Sequence, residues 1–130
     1  MNTGLEQTFV IDGRLPGLND YINAERRNKY LANKMKQTWQ SIVIASIRVA
    51  RIKPQDTPAW ITYRFFEPNK RRDKDNISGY AHKVIQDAIV AAGILPDDGW
   101  DSVAGYTDFF WTDKARPRVE VKIKTLEDVT

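Results

Sequence analysis

The residues best suited to chemistry are carboxylates in two short groups, Asp73-Lys74-Asp75-Asn76 and Asp97-Asp98, on either side of one helical pattern. Carboxylates drawn together repel unless a cation neutralises them. Their hard oxygens favour Mg²⁺, with Mn²⁺ as a substitute, over Zn²⁺. Zinc is further disfavoured because the chain has no Cys and a single His, His82. A carboxylate-bound divalent cation in a basic protein points first to phosphodiester chemistry. Asp73, Asp75, Asp97 and Asp98 are therefore the candidate metal ligands. Turn and cap formation, where Asp and Asn side chains accept backbone N–H bonds, is the competing reading.

Cations gather beside one of these groups. The net charge of +3 is modest, so distribution decides more than the sum. Basic residues cluster at Arg26-Arg27-Asn28-Lys29, at Lys34 and Lys36, at Lys70-Arg71-Arg72 with Lys74, and at Lys114-Ala115-Arg116-Pro117-Arg118. Most such runs are solvated surface. Lys70 to Lys74 differs in abutting the carboxylates, which would bring anion attraction and metal binding to one place.

The elements that must position these groups follow from periodicity. Gln7 to Ile11 reads as a first strand, Leu15-Pro16-Gly17-Leu18-Asn19 as a turn-rich connection, and Asn28 to Arg51 as a helix with Leu31, Met35, Trp39, Ile42, Ile47 and Val49 on its buried face. Trp60 to Phe66 alternates as a second strand. Ile77, Tyr80, Ala81, Val84, Ile85, Ala88, Ile89 and Ala92 then recur at three- and four-residue steps, and Gly93 supplies the stop. Asn76, Lys83 and Asp87 share a stripe beside that apolar face. Val103 to Trp111 and Val119 to Lys124 read as a closing hairpin across the loop Thr112 to Pro117, and Leu126 to Thr130 as a frayed tail. The order β-α-β-α-β-β predicts an α/β (α+β) domain of two layers, with two main helices on a four-stranded mixed sheet. Asp73 and Asp75 then leave the second strand, and Asp97-Asp98 precede the third, at strand–helix junctions where ligand sites often form.

Composition narrows the alternatives. One domain fills residues 1–130, and 42% hydrophobic with 28% charged residues fits a soluble globular chain. The absence of Cys excludes a disulfide framework and a Cys nucleophile. No apolar run approaches the roughly 20 residues needed to cross a bilayer, and Met1 to Thr8 lacks the apolar segment of a signal peptide. A cytoplasmic protein without membrane partner is expected. His82 has the residue type of a general base at pH 7, but it lies off the Asn76–Lys83–Asp87 stripe and is read as a surface residue. Trp39, Trp60 and Trp111 are assigned to the core, and Trp100 to anchoring its turn in preference to walling the site.

The chain resembles the RusA family of Holliday junction resolvases, phage-related endonucleases that cut four-way DNA junctions. The likeness is carried by Arg71-Arg72-Asp73-Lys74-Asp75-Asn76, Lys83-Val84-Ile85-Gln86-Asp87-Ala88-Ile89 and Gly93-Ile94-Leu95-Pro96-Asp97-Asp98-Gly99-Trp100, and more weakly by Pro16-Gly17-Leu18-Asn19-Asp20-Tyr21. The resemblance implies that Asp73, Asp75 and Asp98 are the essential acids, with Asp97 the adjacent carboxylate. The family's active-site lysine, counted back from Asp87, falls on Lys83. That is one helical turn later than the usual spacing, where Gly79 stands. The resemblance further implies a Mg²⁺-dependent homodimer acting on a DNA four-way junction in recombination and repair, with no nucleotide cofactor. Lys70, Arg71, Arg72, Lys74, Arg26, Arg27, Lys29, Asn19 and Asn76 are the candidate DNA contacts.

Two other classes compete. A catalytically silent nucleic-acid-binding domain would bind DNA without Mg²⁺-dependent nicking. A Ca²⁺ loop fails, because an EF-hand register puts Ser78 where Gly is needed and Val84 where Glu is needed. An Asp-x-Asp sugar-nucleotide transferase lacks room for its nucleotide domain.

Overall fold

A computed structural model describes residues 5–127. It contains β1 (Glu6–Asp12), α1 (Leu18–Arg27), α2 (Lys29–Val49), β2 (Ala59–Glu67), α3 (Lys74–Ala91), β3 (Val103–Thr112) and β4 (Arg118–Thr125). This is the expected α+β architecture with a four-stranded mixed sheet, ordered β1-β4-β2-β3. No helix among the described residues is long and apolar enough to cross a membrane.

The β2-α3-β3 unit organises the molecule. β2 and β3 are parallel, Ile61 opposite Tyr106 and Phe65 opposite Phe110, so a crossover must join them, and α3 is that crossover. Its apolar stripe is the predicted one: Ile77, Tyr80, Ala81, Val84, Ile85, Ala88 and Ile89 are all buried. They pack on Phe9, Ile61, Tyr63, Phe65, Val121 and Ile123 of the sheet. Burying each large side chain contributes about 1.5–3 kcal/mol relative to exposure. Gly93, at φ +77°, takes the left-handed conformation that ends the helix.

The hairpin expectation is corrected. β4 inserts between β1 and β2, antiparallel to both, and β3 is left at an edge with β2 as its neighbour. The loop after β3 therefore crosses the end of β2 instead of folding β4 back onto β3.

A third helix replaces part of the predicted connection. α1 starts directly after Pro16-Gly17, where the Asp20 carboxylate accepts the Gly17 N–H at 2.8 Å. It ends at Asn28, whose side chain accepts the Tyr30 N–H at 2.8 Å and so starts α2. On α2 the buried residues are Ala32, Val43 and Ile47, while Leu31, Ile42 and Val49 are exposed. Leu126 donates its N–H to the Pro58 carbonyl at 2.9 Å, so the expected tail is tied down at its start; its end, 128–130, lies outside the described residues.

Candidate functional site

The carboxyl ends of β2 and β3 and the first turn of α3 enclose a cleft of about 970 Å³. Asp73, Asp75, Lys70 and Lys74 line it together with Glu67, Asn69, Phe110 and Trp111. Open α/β sheets hold ligands at this position because strand ends leave room there and a helix N-terminus faces it. Asp73 is the N-cap residue, yet its side chain makes no capping hydrogen bond. The Asp73 and Asp75 side chains are exposed and have no hydrogen-bond or ion-pair partner. For Asp73 the turn-and-cap reading therefore does not account for the carboxylate.

Asp97 and Asp98 lie elsewhere in the same chain. Between the two acidic groups stands the 18-residue α3, about 27 Å long at 1.5 Å per residue. Among the described residues no group of three acidic or His side chains forms that could hold a metal ion. Asp97 is occupied locally, its Oδ1 accepting the Gly99 N–H at 2.8 Å, which is the turn role. Asp98 has no such partner and lines a second hollow with Trp100, Gln86, Val103 and Tyr106. Trp100 does not anchor its turn, since it is 95% exposed.

Several predicted DNA contacts have other work. Arg72 donates from Nε and Nη2 to the two Glu67 carboxylate oxygens, each at 2.9 Å, and from Nη1 to the Leu15 carbonyl at 3.0 Å. Arg14 adds a third bond to Glu67 at 3.0 Å. A carboxylate 5% exposed needs such partners, so Arg72 is a structural cation and not a free phosphate ligand. Asn76 is likewise engaged, its Oδ1 accepting the Asn19 N–H at 2.8 Å. Gly17 permits this contact, because a Cβ there would lie 2.7 Å from Asn76 Oδ1. Asn19 keeps an exposed side chain near the cleft helix. Arg26 and Arg27 are exposed but sit at the far end of α1, about 12 Å along its axis from Asn19, and the exposed Lys29 begins α2. In the Lys114–Arg118 run, Arg116 pairs with Asp12 and Arg118 with Asp113 and Glu120. The Arg116 N–H and the Arg118 guanidinium hold the Asp113 carboxyl below its ordinary range.

Lys83 does not reach the cleft. It follows Asp75 by eight residues, about 12 Å along the helix, and its ammonium lies 3.4 Å from Asp87, which also pairs with Lys36 at 2.9 Å. At Gly79, where the family's lysine usually stands, a Cβ would be 3.3 Å from Leu18 of α1. Lys74 does line the cleft, with Nζ 5.9 Å from the Phe110 ring centroid.

The sequence reading missed two features. Glu67 continues the buried alternation Ala59, Ile61, Tyr63, Phe65, a signal that a cation must follow it inside. His82 is no surface residue: Nε2 lies 2.8 Å from Asp108 Oδ1, and its ring packs against Tyr63 and Tyr106. Trp111, assigned to the core, is 46% exposed and stacks with Phe66 and Phe109.

The site thus belongs to the class of α/β domains that present paired carboxylates and cations at the end of a parallel strand pair. Residues 18–124 match the family model described as Endodeoxyribonuclease RusA. The chain belongs to the RusA endodeoxyribonuclease family. No curated protein matches it.

Proposed function

We propose that this chain is a Mg²⁺-dependent, structure-specific endodeoxyribonuclease that resolves four-way DNA junctions by paired phosphodiester hydrolysis, working as a homodimer in cytoplasmic recombination and repair. The observation that carries the reading is the pair of unpartnered carboxylates, Asp73 and Asp75, in a cleft rimmed by cations, within an endodeoxyribonuclease family. The donor set fits a hard divalent cation, with oxygen ligands only and no competing hydrogen bond on either side chain. Bound there, such an ion supplies positive charge where a phosphodiester oxygen gains negative charge during hydrolysis.

The chain's own residues do the rest. Asp73 and Asp75 hold the cation. Lys70, Arg71 and Lys74 attract backbone phosphates without reading sequence. Lys74, over Phe110 and between the two aspartates in sequence, supports the charge that develops on phosphorus oxygens. Asp98 lines a separate hollow beyond the far end of α3, which favours a two-fold dimer in which each copy lends Asp98 to the other's cleft.

The test is a labelled synthetic four-way junction beside a linear duplex of matched sequence, with and without Mg²⁺. Symmetric nicks in the junction alone, dependent on Mg²⁺ and lost in Asp75→Asn with junction binding retained, are the expected result. Binding without nicking by the unaltered protein in Mg²⁺ or Mn²⁺ would establish the silent DNA-binding reading instead.

A further inference from the structure

We infer that the open face of the sheet binds unpaired DNA bases, on a row of stacked rings formed by Phe66, Trp111 and Phe109 that begins at the rim of the carboxylate cleft. The inference deepens the nuclease reading above, on which it rests, by naming the part of the substrate this face takes: nucleotides left unpaired beside the scissile phosphate.

The row follows from strand alternation, since side chains two apart on a strand share a face. Ile61, Tyr63 and Phe65 of β2 turn towards the helices and belong to the buried core. Their neighbours turn the other way. On that side Phe66 stands opposite Trp111 of β3 and Arg118 of β4, and Arg64 stands opposite Phe109. Phe66 and Trp111 stack with ring centroids 5.4 Å apart and 25° between planes, and Phe109 and Trp111 with 5.4 Å and 12°. The Arg118 guanidinium lies 3.8 Å over the Phe66 ring and closes that end of the row. Trp111 and Phe109 stay open to solvent, 46% and 42% exposed.

Single exposed aromatics are ordinary, but a contiguous patch of them marks an interaction surface. Two observations name the occupant. The first is charge. Arg118 caps the row, and Arg64, beside Phe109, has no hydrogen-bond or ion-pair partner among the described residues. Glu120, opposite Arg64 on β4, is held by Arg118 at 2.9 Å. Rings with guanidinium groups at and beside them take a base on the π-faces and its phosphate on the cations. An apolar protein segment would leave Arg64 unmatched.

The second observation is position. Trp111 and Thr112 line the cleft together with Asp73, Asp75, Lys70 and Lys74. A strand whose phosphate lies at the carboxylates therefore meets Trp111 within the same cleft. From Trp111 to Phe109 is about 7 Å along β3, a length for one or two bases. Paired bases keep their faces inside the duplex stack, so the row selects bases exposed where strands exchange at a branch point.

A labelled oligothymidylate of about 12 nucleotides and a blunt duplex of the same length are titrated by fluorescence anisotropy in EDTA, so that hydrolysis does not intervene. The expected result is oligothymidylate binding that weakens about tenfold in Trp111→Ala and in Phe109→Ala at an unchanged salt slope, with duplex affinity kept. Arg64→Ala instead flattens the slope by about 0.7. Trp111→Tyr, which keeps a ring, recovers most of the affinity and separates loss of stacking from loss of fold. An iodouracil-substituted oligonucleotide photocrosslinks to Trp111 or Phe109. Unchanged oligothymidylate affinity in both alanine variants, in a protein that nicks junctions, overturns this proposal alone. Alanine variants that change sedimentation but not DNA affinity assign the row to contact between protein chains and overturn it as well. Ring-dependent oligothymidylate binding by a protein that nicks no junction upholds the row and refutes only the nuclease reading. A protein that binds neither form of DNA overturns both.

Discussion

Sharing of active sites between two copies can be tested by mixing two inactive variants, Asp75→Asn and Asp98→Asn. Carboxylates that bind one Mg²⁺ at about 2.0–2.1 Å must approach one another within a few ångströms. Asp75 lines the cleft at the start of α3 and Asp98 a separate hollow beyond its far end, with about 27 Å of helix between, so the two do not meet in one chain. Each variant alone is expected to lose cleavage by a factor on the order of 10²–10³, since both of its sites lack one ligand. In a heterodimer of the two, one site collects both substitutions and the other collects none. Random exchange in an equal mixture gives about half heterodimers, so about a quarter of all sites are whole. Junction nicking should therefore recover to about one quarter of the unaltered rate. Products should be single nicks, because each heterodimer has one working site. The variants carry different mass tags and are co-refolded, so that native mass spectrometry counts the heterodimers. If heterodimers form and no nicking returns, sites are not shared in this way and the role given to Asp98 is wrong.

Other perturbations test separate parts. Replacing Lys70, Arg71 and Lys74 with Ala should flatten the slope of log affinity against log salt by about 2–3 units; an unchanged slope places the DNA elsewhere. Arg72→Ala should instead destabilise the fold by about 3 kcal/mol in urea titrations, because it strips two charge-assisted bonds from buried Glu67. In single-turnover cleavage Lys74→Ala should lose more rate than Lys83→Ala; the opposite ranking would restore Lys83 as the active-site lysine. Tyr80 is pushed to about 12, chiefly by burial, and its hydroxyl has no partner. The unfolded chain therefore releases this proton near pH 10 while the folded one holds it, so stability should fall by about 1.4 kcal/mol per unit between pH 10 and 12. Tyr80→Phe should flatten that fall without lowering stability at pH 8, and an identical fall in the variant would refute the assignment.

The parts of the fold legible in sequence were those where one pattern had no rival. The α3 stripe from Ile77 to Ile89 alternates cleanly with polar residues, and a single set of positions can face the core. α2 carries apolar residues around much of its circumference, so Leu31, Ile42 and Val49 competed with Ala32 and Val43, while Ile47 is buried as read. α1 was hidden by Pro16-Gly17, which reads as a break although Asp20 three residues later is a helix-start signal. Strand partners were not legible at all, since hydrophobic alternation fixes a face and not a neighbour. For the site, residue type singled out Asp73 and Asp75, which line one cleft, but gave no distance from them to Asp98, which lines another hollow past the end of α3. The role of Arg72 was set by Glu67, five residues earlier, through burial that only the assembled sheet creates.

The contact between Gly17 and Asn76 has a consequence for how such a chain can change over time. The two segments that look like separate signatures, Pro16-Gly17-Leu18-Asn19 and Asp73-Lys74-Asp75-Asn76, are halves of one joint, closed by the absence of a side chain on one and the amide of the other. A larger residue at 17 would push against Asn76 and with it the turn that carries both cleft carboxylates. A shorter residue at 76 would leave the Asn19 N–H unanswered at the start of α1. The two positions are therefore expected to drift only as a pair, and a graft of the acidic segment into another scaffold would have to bring the early loop along with it.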